Sequence, residues 1–167
     1  MHQRTSGFTL IETLVALFVL SVALAGAFAL ISFNTSNANF IKNSFIASSL
    51  TQEGMELVRN LRDTDWFAGN EFGSFGNAGG PVPDGTYCVQ WNSTELAGSC
   101  DPKLFHDSQQ LYSHDSAGVG TVFSRSVNIR KVGASPTAEI VVMVQVSWRE
   151  RTGTKQVNAE EHLYNWY

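Results

Sequence analysis

The chain has 167 residues, a net charge of −4 and a sequence pI near 5.5, so no excess of basic charge points to nucleic acid. Charged residues make up 16%, against about 25% in ordinary soluble domains, while the 43% apolar content is densest near the N-terminus. The length suits one small domain plus an elongated element.

In chain order, a polar leader from Met1 to Gly7 carrying Arg4 gives way to an apolar run with a single acid, Glu12, at its mouth. From Leu14 to Phe33 there is no charged residue, and Ser21 and Ser32 are the only polar side chains. Twenty residues at about 1.5 Å rise make a helix of ~30 Å, enough to cross the hydrocarbon core. A core helix rarely stays apolar on every face for this length, so membrane insertion is the reading. Ala23-Leu24-Ala25 offers a competing signal-peptidase site, but the apolar character runs past it to Phe33.

No proline precedes Pro81, so the helix is free to continue. The poor helix formers of Phe33–Phe40 mark a soft joint. Beyond it, Ile46, Leu50, Gly54, Leu57 and Leu61 share one face, with Gln52, Glu56, Arg59 and Asp63 opposite. Glu56 with Arg59, and Arg59 with Asp63, have the spacing of surface ion pairs. This amphipathic segment is expected to pack on a soluble domain.

From Trp66 to Gly85 the chain is rich in Gly, Asn and Pro, and reads as a linker; no Lys-Ser/Thr follows to make it a phosphate loop. Strands are predicted at Thr86–Trp91, at Val122–Val132 with Phe123, Val127 and Ile129 on one side, and at Glu139–Trp148. In the last, Ile140, Val142, Val144, Val146 and Trp148 share a face. A turn centred on Gly153 returns Lys155–Trp166 as a hairpin partner. The expected fold class is α+β: one long N-terminal helix, half apolar and half amphipathic, on a small antiparallel sheet.

Between these strands, His106 to Ser116 repeats His-Asp-Ser at an interval of eight. A hydrolase would need a strained nucleophile turn and an oxyanion hole, and zinc would want three or four ligands from His106, Asp107, His114 and Asp115. Calcium on Asp101, Asp107 or Asp115 lacks an Asp-x-Asp-x-Asp-Gly loop. A polar surface loop is the reading, so neither a catalytic residue nor a bound metal or cofactor is expected. Asn92-Ser93-Thr94 is a short sequon match. Cys88 and Cys100 would form one disulfide in an exported chain and remain thiols in a cytosolic one.

The stretch "GFTLIETLVAL", Gly7 to Leu17, resembles the processing site of type IV pilins and type II secretion pseudopilins. The resemblance implies that a prepilin peptidase cuts between Gly7 and Phe8 and N-methylates Phe8, leaving the apolar helix on the mature protein. It also implies that Glu12 pairs with the terminal amine of its own or a neighbouring subunit, setting a stagger during assembly. A carboxylate near the hydrocarbon boundary is tolerable when it has such a cation.

Thr51–Trp66 resembles the helical spine of small pilins, and the ending "LYNW" resembles the tail of minor pilins of the modification-protein type. Major pilins commonly carry a proline in the membrane half, where this chain has only Gly26; that departure favours a minor pilin or pseudopilin. The implied domains are a leader at 1–7, a membrane and assembly segment at 8–33, an amphipathic segment at 34–65 and a globular head at 66–167. The implied partners are the prepilin peptidase, other pilin or pseudopilin subunits, an inner-membrane assembly platform and membrane lipid, with no direct nucleic acid. The head would lie outside the cytoplasm, where Cys88 and Cys100 are expected to pair. The competing class is a membrane-anchored extracytoplasmic binding protein.

Overall fold

A computed structural model describes residues 7, 9–133, 138–151 and 153–165. Its elements in chain order are α1 (Leu10–Ala68), β1 (Gly85–Tyr87), β2 (Lys103–His106), β3 (Tyr112–Ser113), β4 (Val119–Val132), β5 (Glu139–Glu150) and β6 (Gly153–Tyr164). The layout is α+β and pilin-like, a long N-terminal helix packed on an antiparallel sheet. By contact the chain divides into two compact units, 1–42 and 43–167.

In the first unit, every described residue from 9 to 42 is exposed. The helix is unbroken through Phe33–Phe40, where a soft joint was expected. Part of the reason is local: the Thr35 hydroxyl donates to the Ile31 carbonyl at 2.9 Å, so this polar side chain bonds back to its own helix. Ser21 does the same to Phe18 at 2.7 Å and Thr13 to Leu10 at 2.8 Å, leaving neither hydroxyl in need of water.

In the second unit, α1 buries Ala47, Leu50, Thr51, Gly54, Met55, Val58 and Leu61. The buried stripe is rotated from the expected one, and Ile46 and Leu57 lie half-buried at its flank. Close approach to the sheet explains the rotation. A Cβ on Gly54 would meet Val144 Cγ1 at 2.8 Å and Arg125 Cδ at 3.1 Å, so the smallest residues face the sheet and bulkier ones straddle it. Glu56 and Arg59 pair at 2.7 Å as the spacing implied, but Arg59 turns to Glu161 on β6 at 2.8 Å, and Asp63 pairs with Arg62 at 2.5 Å.

The sheet has the order β3-β2-β4-β5-β6, with β1 also pairing β4. Its register places Val127 opposite Val144, and Val146 opposite both Arg125 and Val157. Ile140, Val142, Val144, Val146 and Trp148 are all buried, so period-two alternation gave the correct face of β5. The strand expected over Thr86–Trp91 is shorter, ending at Tyr87 and continuing only as an isolated bridge from Cys88 to Ala97. β3 arises within the region read as a loop, and β2, Lys103–His106, at its leading edge, where no strand was expected.

α1 ends three residues beyond Asp65 in a Schellman arrangement. Gly69, at φ 73°, donates to the Trp66 carbonyl at 3.1 Å, and Asn70 to that of Asp65 at 2.9 Å. Asp65 is buried, and its carboxylate accepts from Asn70 Nδ2 at 2.9 Å and from the Gly76 N–H at 2.8 Å. Gly76 has φ 82°, and a Cβ there would lie 1.8 Å from the Thr94 carbonyl oxygen. The segment read as a linker is therefore a docked loop, with Phe75 and Val82 in the core. Cys88 and Cys100, twelve positions apart, have bonded sulfurs and Cα atoms 6.2 Å apart.

One cation lies inside. Arg125 is 0% exposed, one guanidinium nitrogen donating to the Leu50 carbonyl at 3.2 Å and Glu53 at 3.0 Å, the other to the Val89 carbonyl at 2.8 Å. It ties α1, β4 and the segment after β1 together.

Candidate functional site

Sequence reasoning places the working residues at the start of α1, and the local geometry there follows from Thr9. The Thr9 hydroxyl accepts the Glu12 N–H at 3.3 Å, and its carbonyl accepts those of Glu12 at 3.1 Å and Thr13 at 3.2 Å. Thr9 is thus the N-cap and Glu12 the third helical residue. "TLIE" has the Thr-x-x-Glu spacing of a capping box, a signal legible in the sequence that the membrane reading passed over. Glu12 also lies in the first turn, where the positive end of the helix dipole favours a carboxylate.

Gly7 lies outside the helix and is exposed. No described atom beyond its chain neighbours lies within 4 Å of where a Cβ would stand, and its φ is not in the left-handed region. Within the described residues, then, neither packing nor backbone conformation requires glycine at this position. Phe8, the expected new terminus and methylation site, lies outside the described residues, as do Arg4 and Trp166.

Behind the cap, apolar side chains face outward on all sides of α1, from Leu10 at 78% exposure through Phe18, Phe28 and Phe33. An 18-residue window of this helix has a mean hydropathy of 2.8 and no residue buried, which is long and apolar enough to cross a membrane.

The second candidate region, around the His-Asp-Ser repeat, is held by its own turns. Asp107 accepts the N–H groups of Gln109 at 2.8 Å and Leu111 at 2.9 Å. Asp115 accepts that of Ala117 at 2.9 Å. His106 Nδ1 meets the Gln110 carbonyl at 3.3 Å, and His114 Nδ1 those of Asp101 at 3.0 Å and Lys103 at 3.2 Å. Among the described residues, no group of three His, Cys, Asp or Glu is placed to hold a metal ion.

The family model of the prokaryotic N-terminal methylation motif matches residues 2–28. The chain is type IV pilin-like. The match spans the leader, the cap, Glu12 and most of the apolar run, and indicates a type IV pilin- or pseudopilin-type subunit. The motif implies processing by prepilin peptidase and assembly with other pilin subunits, in a family whose role is structural rather than catalytic. The apolar helix of this pilin-like chain fits membrane anchoring. No curated protein and no solved structure matches it.

Proposed function

We propose that this pilin-like chain is a minor structural subunit of a type IV pilus or related filament. It is cut between Gly7 and Phe8, methylated at Phe8 and held in the cytoplasmic membrane by residues 8–33. Residues 34–65 form the amphipathic continuation and residues 66–167 the domain outside the cytoplasm; assembly proceeds through the N-terminal helix, with Glu12 paired to a Phe8 amine.

The observation that carries this reading is the methylation motif at residues 2–28, falling on the part of α1 whose described side chains are all exposed. Gly7 is consistent with it, being exposed and ahead of the first turn of α1, within reach of a peptidase. The membrane half contains no proline, which favours a minor pilin or a type II secretion pseudopilin over a bulk filament subunit. The pseudopilin is the second reading. Mass spectrometry of the mature N-terminus tests the proposal. A chain beginning at N-methylated Phe8 is expected, and Gly7→Val should leave the precursor uncut. A mature protein beginning at Met1 or near Ala25 would overturn the reading in favour of an anchored or secreted binding protein.

A further inference from the structure

We propose that the cleft between the end of α1 and the end of β6 binds a neutral saccharide. The cleft lies wholly within the second unit and measures about 580 Å³, inside the ~300–1,000 Å³ range of small-molecule sites. Its aromatic lining comes from two regions distant in sequence: Trp66 from the last turn of α1 with Phe72 from the loop just after it, and Tyr164 from the end of β6. Trp66 is 50% exposed and Tyr164 52%, so both present ring surface to solvent in a unit that buries most of its other large apolar side chains. Asn70, Glu71 and Asn165 supply amide and carboxylate groups around them.

The walls are fixed before any ligand arrives. The Schellman cap sets Gly69 and Asn70 against α1, and the Asp65 carboxylate holds Asn70 and the Gly76 N–H. Gly73, at φ 91°, lies so close to the core that a Cβ would stand 2.7 Å from Ile140 Cδ1. A preformed cleft avoids the ordering entropy that weakens binding to mobile surfaces.

Charge narrows the ligand class. Arg62 is ion-paired with Asp63 at 2.5 Å, and Asp65 is already engaged by Asn70 and Gly76. Among the described residues one cation, Arg62, lines the cleft against three acids, Asp63, Asp65 and Glu71, so an anionic ligand is disfavoured. A purely apolar ligand would cover the Glu71 carboxylate and the Asn165 amide and cut them off from water, a desolvation penalty. A sugar ring meets both demands. Its C–H face stacks on an aromatic ring while its hydroxyls exchange hydrogen bonds with amides and a carboxylate. This site is independent of filament assembly and stands or falls separately from it.

The test uses the full chain in a phosphocholine detergent, which has no sugar headgroup. It is titrated with neutral oligomers of glucose, galactose, mannose and N-acetylglucosamine, with an oligogalacturonate and with a proline-rich peptide. At least one neutral oligosaccharide is expected to bind with Kd at or below about 1 mM. Trp66→Ala should weaken it roughly tenfold and Trp66→Phe less, the loss expected of one aromatic stacking partner. Trp91→Ala, at a half-exposed tryptophan of the second unit that does not line the cleft, should leave binding unchanged. Asn165→Ala, which removes a polar group without touching the helix, should also weaken binding while the melting temperature stays put. The proposal is overturned if no neutral sugar binds, if only the acidic oligomer or the peptide does, or if binding survives both Trp66→Ala and Asn165→Ala.

Discussion

Helix α1 serves two surroundings. From residue 9 to 42 every described side chain is exposed, and the apolar ones point in all directions. From residue 43 to 68 it buries one stripe, with small residues where the sheet comes nearest and Glu53 and Arg59 paired to charged residues of β4 and β6. The difference is one of distribution. Apolar residues on every face belong to a helix whose solvent is lipid or other helices, whereas a stripe belongs to one with a single partner surface. The regions should therefore fail independently: changes at Glu12 should alter assembly and leave the fold of residues 43–167 intact, and changes at Arg125 should do the reverse.

The largest effect is expected at Glu12. On the proposed reading Phe8 is the mature terminus, and the Glu12 carboxylate of a neighbour offsets its α-amine near the hydrocarbon boundary. Glu12→Ala should still insert and still be cut, because the Gly7–Phe8 site is intact. Its content in sheared filaments should drop by more than about tenfold, the ratio that ~1.4 kcal/mol of lost pairing gives. The capping geometry makes Glu12→Gln decisive, since glutamine preserves the Thr-x-x-Glu/Gln box but removes the charge. If charge pairing is the role, Gln behaves like Ala. If Gln assembles normally, the residue's work is capping alone. Both variants should unfold residues 43–167 at the wild-type temperature.

Much of this contrast was legible in the sequence. The charge-free run from Leu14 to Phe33 and the alternation of Ile140 to Trp148 can be read from the order of residues alone, and the structure keeps both, the first exposed throughout and the second burying one face. What escaped depends on contacts between distant segments. Arg125 sits in the inward phase of β4, between Phe123 and Val127, so strict alternation did point it into the core. The carbonyls of Leu50 and Val89 and the Glu53 carboxylate, all far away in sequence, make that placement tolerable for a cation. The helical stripe was rotated because Ala47 and Thr51 count as poor core residues until a sheet approaches closely, as it does at Gly54. Phe75 and Val82 looked like linker residues because glycines surround them, and it is Asp65, through Gly76, that draws their loop onto the core. β2 and β3 are too short and too polar to show an alternation.

Arg125 gives the converse test, with a smaller effect. Its guanidinium is fully buried, but the side chain of its partner Glu53 is 39% exposed, so that carboxylate can recover water when the arginine is gone. The carbonyl of Val89 cannot easily do so. Arg125→Met should destabilise residues 43–167 by about 3 kcal/mol, toward the low end of what breaking a buried pair costs. Arg125→Lys should recover less than half, since an ammonium lacks the fork that reaches Leu50, Glu53 and Val89 together. Thermal unfolding in detergent measures both, and processing at Gly7 should be unchanged. A methionine variant as stable as wild type would mean that the cation is a passenger in the core.

The smallest effects come from two histidines of the second unit that work in opposite directions. His114 is held below the usual imidazole value, chiefly by burial and then by the Arg125 charge, against the pull of the Asp101, Lys103 and Val89 carbonyls. In the folded protein it therefore binds a proton less readily than in the unfolded chain. Its contribution to stability is full above the unfolded value of about 6.5 and declines as pH falls through it. His162 is raised, first by its hydrogen bond to Glu139 and further by Glu160, whose Oε1 is 3.3 Å from Nε2. Its contribution is present below about 6.5 and is lost as pH rises through the folded value. His162 is exposed at the surface, so screening makes its share the lesser one. Melting temperatures taken between about pH 5 and 8, where histidines titrate, should show this directly. His114→Gln should flatten the acid-side loss, and His162→Gln should flatten the decline toward neutral pH and steepen the net loss on acidification. An unchanged slope in the His114 variant would show that Arg125 and burial do not act on that ring as the geometry requires.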